Sequence, residues 1–372
     1  MDRRIVLLAL TIVISTLLIR ASSNVISTTL PILARYSLGF SSLGVGALSA
    51  VFTVTTFVGS AFLVRYSSRP VLLSSILLYS LSLALLSKVS SSSVWIVTGT
   101  SGGALGLIMP NLITISGKEE ERRTRERLLN VYALSLSIGL VVGPLLEAKL
   151  LPVLGVRGVF LGFALAPLVA LPLLSEARIS PSSSRTRIVG NPALTVAILN
   201  IASYELIFSF LLTFGGIYMK ERFGSTLSEV EVGFSLFFLA SLLTRLIMSI
   251  YPVERVKRGV TLSLCLTVTG IVIMILSRSL VEFLVTLAIL GVPHGITMPL
   301  STVAITRRVP PEMRGIANGI FFASLTMMGS ATSFVSGIGI TFLGFRGVLL
   351  AILALVMAIG VILMRKVGIV DE

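Results

Sequence analysis

The sequence predicts an all-α polytopic membrane protein, with twelve transmembrane helices in two pseudo-symmetric six-helix halves. Three observations carry that prediction: the apolar composition, the uneven placement of basic residues, and an internal repeat. Of 372 residues, 55% are hydrophobic and 12% charged, with a mean hydropathy of +1.01. A water-soluble chain needs roughly 25% charge to cover its surface. The composition therefore excludes a soluble enzyme, a disordered chain and a nucleic-acid-binding module. Lipid is the expected solvent.

Apolar runs of at least about 18 residues define the spans. The first, 5–31, follows Arg3 and Arg4; Arg20 interrupts it and further spans follow, so it is a membrane helix and not a cleaved leader. Next come 42–64, 70–87 (closed by Lys88) and 94–116 (closed by Gly117-Lys118). The run 128–149 opens behind the charged stretch Lys118–Arg127, itself expected to be a helical cytoplasmic loop with a Glu121–Arg125 pair. The first half, 1–175, ends with 156–175. A polar linker at 176–191 contains Ser180-Pro-Ser-Ser-Ser-Arg185. The second half, 192–372, holds 192–219, 229–251, 259–277, 280–306, 315–343 and 345–364. Period-two alternation is missing from these runs, which argues against a barrel.

Charge placement tests the count. With the N-terminus inside, cytoplasmic segments hold 20 Lys and Arg and outer segments 8, leaving Arg20 and Arg245 within spans. That bias fits an even number of spans with both termini cytoplasmic. The net charge of +14 is thus read as topology. One cysteine, Cys265, and one histidine, His294, exclude a disulfide framework and a Cys/His metal site. No metal or other cofactor is expected.

Three segments repeat at one offset of 189 residues. Gly102 to Pro110 matches Gly291 to Pro299, Gly155-Val-Arg157-Gly158-Val159 matches Gly344-Phe-Arg346-Gly347-Val348, and Arg69 to Ser74 matches Arg258 to Ser263. Six spans per half make the repeats parallel, an architecture of secondary transporters.

The fifth span contains Gly139-Leu-Val-Val-Gly143-Pro144, with Glu147 and Ala148 following at the places of two glycines. Between spans 2 and 3 stands Ser60-Ala-Phe-Leu-Val64-Arg65-Tyr-Ser-Ser-Arg69-Pro70, and its counterpart is Glu254-Arg255-Val-Lys257-Arg258. Before span 11 lies Arg307-Arg308-Val-Pro-Pro-Glu312-Met-Arg314-Gly315. On these residues the chain resembles the major facilitator superfamily over essentially its whole length. The fifth-span run is similar to that family's antiporter motif, and the two basic loops to its motif between helices 2 and 3. The resemblance implies a cavity lined by helices 1, 4, 7 and 10. For Gly139, Gly143, Pro144 and Glu147 it implies a hinge or gate. Plain helix packing is the other reading of the glycines.

Ionisable groups inside lipid point to function, because each costs roughly 2.5–3.5 kcal/mol at a helix centre. Glu205 lies near mid-depth in the seventh span and Arg20 in the first. They are the expected coupling pair, Glu205 exchanging the proton and Arg20 tuning it or holding an anionic group. A static ion pair is the alternative. His294, in the tenth span, is a candidate relay, or else it binds a carbonyl freed by Pro293 or Pro299. Asn24 and Tyr204 are expected to face the cavity or to bond between helices. Phe208, Phe210 and Phe214 suit a lipophilic substrate or face lipid. Arg245 is expected to snorkel towards the cytoplasm.

The expected function is proton-coupled export of small organic molecules, lipophilic ones among them, by a monomer in the plasma membrane. Its expected partners are the substrate, protons and the bilayer. One alternative is proton-coupled import of an organic anion clamped by Arg20. A more distant one is a membrane receptor or enzyme without transport. No catalytic residue is expected, since one His and no membrane Asp make no catalytic cluster.

Overall fold

The computed structural model describes residues 3–175, 191–251, 255–310 and 313–371. Within them, α1 is Arg3–Ile32, α2 Ser42–Val58, α3 Arg69–Leu86 and α4 Ser93–Ser116. The next helical run, Arg122–Leu174, is 53 residues long, and so is the last long one, Arg314–Lys366. A straight helix of that length would extend ~80 Å, against a hydrocarbon core of about 30 Å. Each run is instead broken by one non-helical glycine, Gly155 (φ 67°, ψ 174°) and Gly344 (φ 68°, ψ 175°). The breaks divide the runs into α5 (122–154) and α6 (156–174), and α11 (314–343) and α12 (345–366). Between them lie α7 (Pro192–Phe210), α8 (Leu227–Ile250), α9 (Val256–Leu276) and α10 (Leu280–Arg308). Ten described helices are long and apolar enough to cross a membrane, and resolving the two broken runs gives the twelve expected spans.

The two glycines are 189 residues apart, in the repeat register, and share one backbone conformation. That region of φ/ψ space is essentially restricted to glycine and costs other residues about 1–3 kcal/mol. A Cβ at either position meets nothing within 4 Å, so the whole penalty is backbone strain. Gly155→Ala is therefore expected to lower the melting temperature although the methyl has room. Gly155→Asn should not rescue it, because asparagine favours ψ near +47°, far from this geometry. Arg157 ties the break down, its guanidinium donating to the carbonyls of Ser87 (3.2 Å) and Val89 (3.1 Å) past the end of α3.

The chain forms two compact units: Met1–Ser41 with Leu48–Ser183, and Ser42–Ala47 with Ser184–Glu372. The first turn of α2 thus groups with the second unit. Linker residues 176–190, together with Glu254 and Glu312, lie outside the described residues.

Repeated glycines do the same work in each unit. In the first, a Cβ on Gly102 would stand 2.5 Å from the Phe52 carbonyl oxygen, so α4 lies directly on α2. In the second, a Cβ on its repeat partner Gly291 would overlap the Phe237 carbonyl oxygen and stand 2.8 Å from Ala240 Cβ, seating α10 on α8. Small residues allow this approach where lipid supplies no hydrophobic drive for association.

The charged stretch before α5 departs from expectation. Helix begins only at Arg122, which leaves Glu121 at the N-cap. There its carboxylate accepts from the Thr124 hydroxyl at 2.6 Å, and Arg125 turns to the Glu119 carbonyl instead. An i,i+4 pair requires both residues inside the helix, which Glu121 is not.

Candidate functional site

In the first unit, α1 and α5 carry the polar groups. A Cβ on Gly139 would lie 2.9 Å from the Leu17 carbonyl oxygen and 3.0 Å from Arg20 Cβ; one on Gly143 would lie 3.0 Å from Ala21 Cα. The glycines are thus the floor on which α1 rests. Arg20 is half-buried, its Nη1 reaching Ser23 Oγ at 3.4 Å, and Nε has no hydrogen-bond partner among the described residues. The hydroxyls of Tyr79 and Tyr132 lie within electrostatic reach of its guanidinium. Glu147 is fully buried and accepts from the Thr29 hydroxyl.

Asn24 and Pro144 act together. Proline has no N–H, so Pro144 leaves the carbonyl of Leu140, four residues back, without its helical donor. The Asn24 side-chain amide donates to that oxygen at 3.0 Å. Backbone dihedrals stay helical at Pro144, and the break falls at Gly155. Asn24→Ala is expected to cost about 1–2 kcal/mol by leaving the carbonyl unmet. In Pro144→Ala, where a backbone N–H returns, the same change should cost much less. Equal costs in both backgrounds would refute the pairing; thermal unfolding of the four proteins measures it.

In the second unit the span Pro192–Phe223, which holds α7, is the most buried of the described spans, with 72% of its most apolar window buried against 33% to 50% for the others of that unit. Glu205 is 6% exposed and accepts from Ser209 Oγ at 2.5 Å. Among the described residues of its unit, no Lys or Arg forms an ion pair with it. Gly329 of α11 faces this pair, and a Cβ there would sit 3.0 Å from both Glu205 Oε1 and Ser209 Oγ. Just beyond, the helix widens into a π turn at Leu211–Gly215, and Thr213 bonds Ser333 at 2.9 Å.

A different face of α7 meets His294. Its Nδ1 is 2.8 Å from Ser241 Oγ, and rings surround the imidazole: Phe208 at 4.5 Å, Phe237 at 5.2 Å, Tyr204 at 5.8 Å and Phe238 at 5.9 Å between centroids. Tyr204 donates its hydroxyl to the Leu290 carbonyl at 2.9 Å, tying α7 to α10. Its ring also lies within reach of the Arg245 charge. Glu205 and His294 thus meet different hydroxyl groups, those of Ser209 and Ser241. Phe210 and Phe214 are buried and packed together at 5.8 Å, not turned to lipid as one reading had it.

The basic loop residues Arg65, Arg69, Arg255 and Arg258 are all exposed, and Arg65 stacks over Tyr66 at 4.8 Å. Arg314 instead caps α10, donating to the carbonyls of Thr306 (2.7 Å) and Val309 (3.1 Å). Two acidic residues escaped sequence reasoning. Glu231 in the first turns of α8 is fully buried, and Asp371 lies in the terminal turn Gly368–Asp371.

Comparison with known proteins follows from this geometry. The sequence matches the Major Facilitator Superfamily over residues 12–219 and 194–369. No curated protein matches it significantly. Among solved structures, a POT family transporter in complex with 5-aminolevulinic acid superposes with a TM-score of 0.82 at 13% identity, covering 98% of this chain and 96% of that one. A bacterial homolog of the human lysosomal transporter Spinster, inward-facing and unoccupied, gives 0.79 at 12% identity, covering 99% and 98%. The nucleoside transporter NupG gives 0.73 at 13%, covering 98% and 100%. At these identities the likeness is one of fold.

Proposed function

The chain belongs to the major facilitator superfamily, and on that premise we propose that this secondary transporter couples export of small organic molecules to inward movement of protons. Glu205 carries the reading: a carboxyl deep in a lipid-embedded helix, hydrogen-bonded by a neutral hydroxyl and in no ion pair with a Lys or Arg among the described residues of its unit. Intramembrane carboxyls of this kind mark proton and substrate pathways. Arg20 is the candidate group for an anionic substrate part, and His294 a second titratable group within the aromatic ring set. The partial antiporter motif at Gly139, Gly143 and Pro144 favours exchange over symport. We place both termini in the cytoplasm, on the bias of basic residues, and take the chain to act as a monomer.

Fold does not fix the ligand, and the solved relatives handle chemically different cargo. The test therefore starts from a library screened for thermal stabilisation, since a ligand that binds the folded state raises its melting point. The best hit is then added to proteoliposomes carrying an internal pH dye. Opposite movement of protons and substrate is expected. Movement in the same direction would replace this reading with proton-coupled import.

A further inference from the structure

A basic cleft in the second unit has no part in that transport scheme, and we propose that it binds the phosphate headgroup of an anionic phospholipid. The cleft has a volume of about 810 Å³ and is lined chiefly by Arg255, Lys257, Arg258, Leu262, Cys265 and Asp371. Asp371 is already engaged. Its carboxylate accepts the backbone N–H groups of Val256 (2.7 Å) and Lys257 (2.8 Å) and pairs with Arg307 at 3.2 Å. The N-terminus of α9 is thus capped from within the chain, and attraction for an anion comes from the three long basic side chains. All three residues are exposed, and none of their side chains has a hydrogen bond or ion pair among the described residues.

The fold itself does not require this cluster. At the repeat offset the equivalents of Arg255, Lys257 and Arg258 are Tyr66, Ser68 and Arg69. One cation stands where the second half has three.

Shape selects a lipid over a soluble anion. Arg258, Leu262 and Cys265 follow one another at four and three residues along α9, hence on one stripe. From Arg255 to Cys265 the helix rises about 15 Å. Leu262 is 51% exposed and Cys265 is exposed too, so the cleft runs from a cationic end to an apolar one. A phospholipid uses both ends, its phosphate on the arginines and its acyl chain along the stripe. Inorganic phosphate uses only the first.

Cys265 is the chain's single cysteine and reports occupancy directly. Its maleimide labelling rate would be measured for the full chain in nanodiscs of phosphatidylcholine, with and without phosphatidylglycerol. Phosphatidylglycerol is expected to slow labelling about tenfold, a modest fraction of what three basic contacts can supply. Native mass spectrometry should retain a phosphatidylglycerol adduct. Combining Arg255→Gln, Lys257→Gln and Arg258→Gln should abolish both effects while the melting temperature in phosphatidylcholine stays unchanged. Should the triple variant melt early, Arg258→Gln alone decides by the same readouts. Equal labelling in both lipids, or protection that survives the substitutions, overturns the proposal. So does protection by inorganic phosphate alone, which would assign the cleft to a soluble anion.

Discussion

Glu205→Gln is expected to abolish proton-driven accumulation of substrate while leaving substrate binding and counterflow within a few-fold of the native protein. Glutamine keeps the length of the side chain and an acceptor oxygen for Ser209 Oγ, 2.5 Å away in the native protein. It also avoids the steric clash a larger group would have with Gly329. What it removes is the ability to take up and release a proton. Uphill transport depends on that exchange, whereas downhill exchange of substrate for substrate does not. The loss should exceed tenfold, equivalent to about 1.4 kcal/mol in the coupling equilibrium. Gly329→Ala is the matching control. Its methyl would stand 3.0 Å from both Glu205 Oε1 and Ser209 Oγ, so the pair must shift although the proton site survives. Slower transport with an unchanged proton-to-substrate ratio is expected there. Full proton coupling in Glu205→Gln proteoliposomes, read with the internal pH dye, would eliminate Glu205 as the coupling residue.

Different parts of this molecule were legible in the sequence for different physical reasons. Spans are legible because a backbone in lipid must satisfy its own hydrogen bonds, which forces long apolar helical runs. The repeat was legible in residue identities, and the structure adds that Gly155 and Gly344 share one backbone conformation open essentially to glycine alone. Side-chain partners were not. That Pro144 orphans the Leu140 carbonyl follows from helix geometry alone, yet that Asn24 supplies the donor depends on how α1 lies against α5. Asp371 has no local signal, because its partners Val256 and Arg307 are distant in sequence and meet it only when the chain returns. Glu231 was passed over because an acid two residues into the predicted span 229–251 reads as an interfacial group, whereas packing buries it fully. Sequence periodicity assigns a face of a helix; it does not assign the neighbour.

The same limit applies to the glycines of α5, where a hinge and a spacer make different predictions. Gly143→Leu is expected to prevent recovery of folded protein, or to lower its melting temperature by far more than any other change considered. The first carbon of the new side chain would already lie 3.0 Å from Ala21 Cα and from its carbonyl oxygen, both backbone atoms that cannot rotate away. Overpacking alone costs about 1–3 kcal/mol. Separating α1 from α5 would also break the bond from Asn24 to Leu140 and that from Thr29 to Glu147, each worth about 1–2 kcal/mol in membranes. Losses of that combined size approach the whole stability of an ordinary domain, about 5–15 kcal/mol. Leu146→Ala on the same helix, at a position 46% exposed, should cost little. Gly143→Ala is the discriminating variant. A spacer predicts a clear loss of stability, because even the methyl meets main chain. A hinge predicts normal melting with altered turnover, since alanine stiffens a helix without crowding it. Size-exclusion profiles, melting curves and flux on the same preparations would decide, and the close approach of Ala21 favours the spacer.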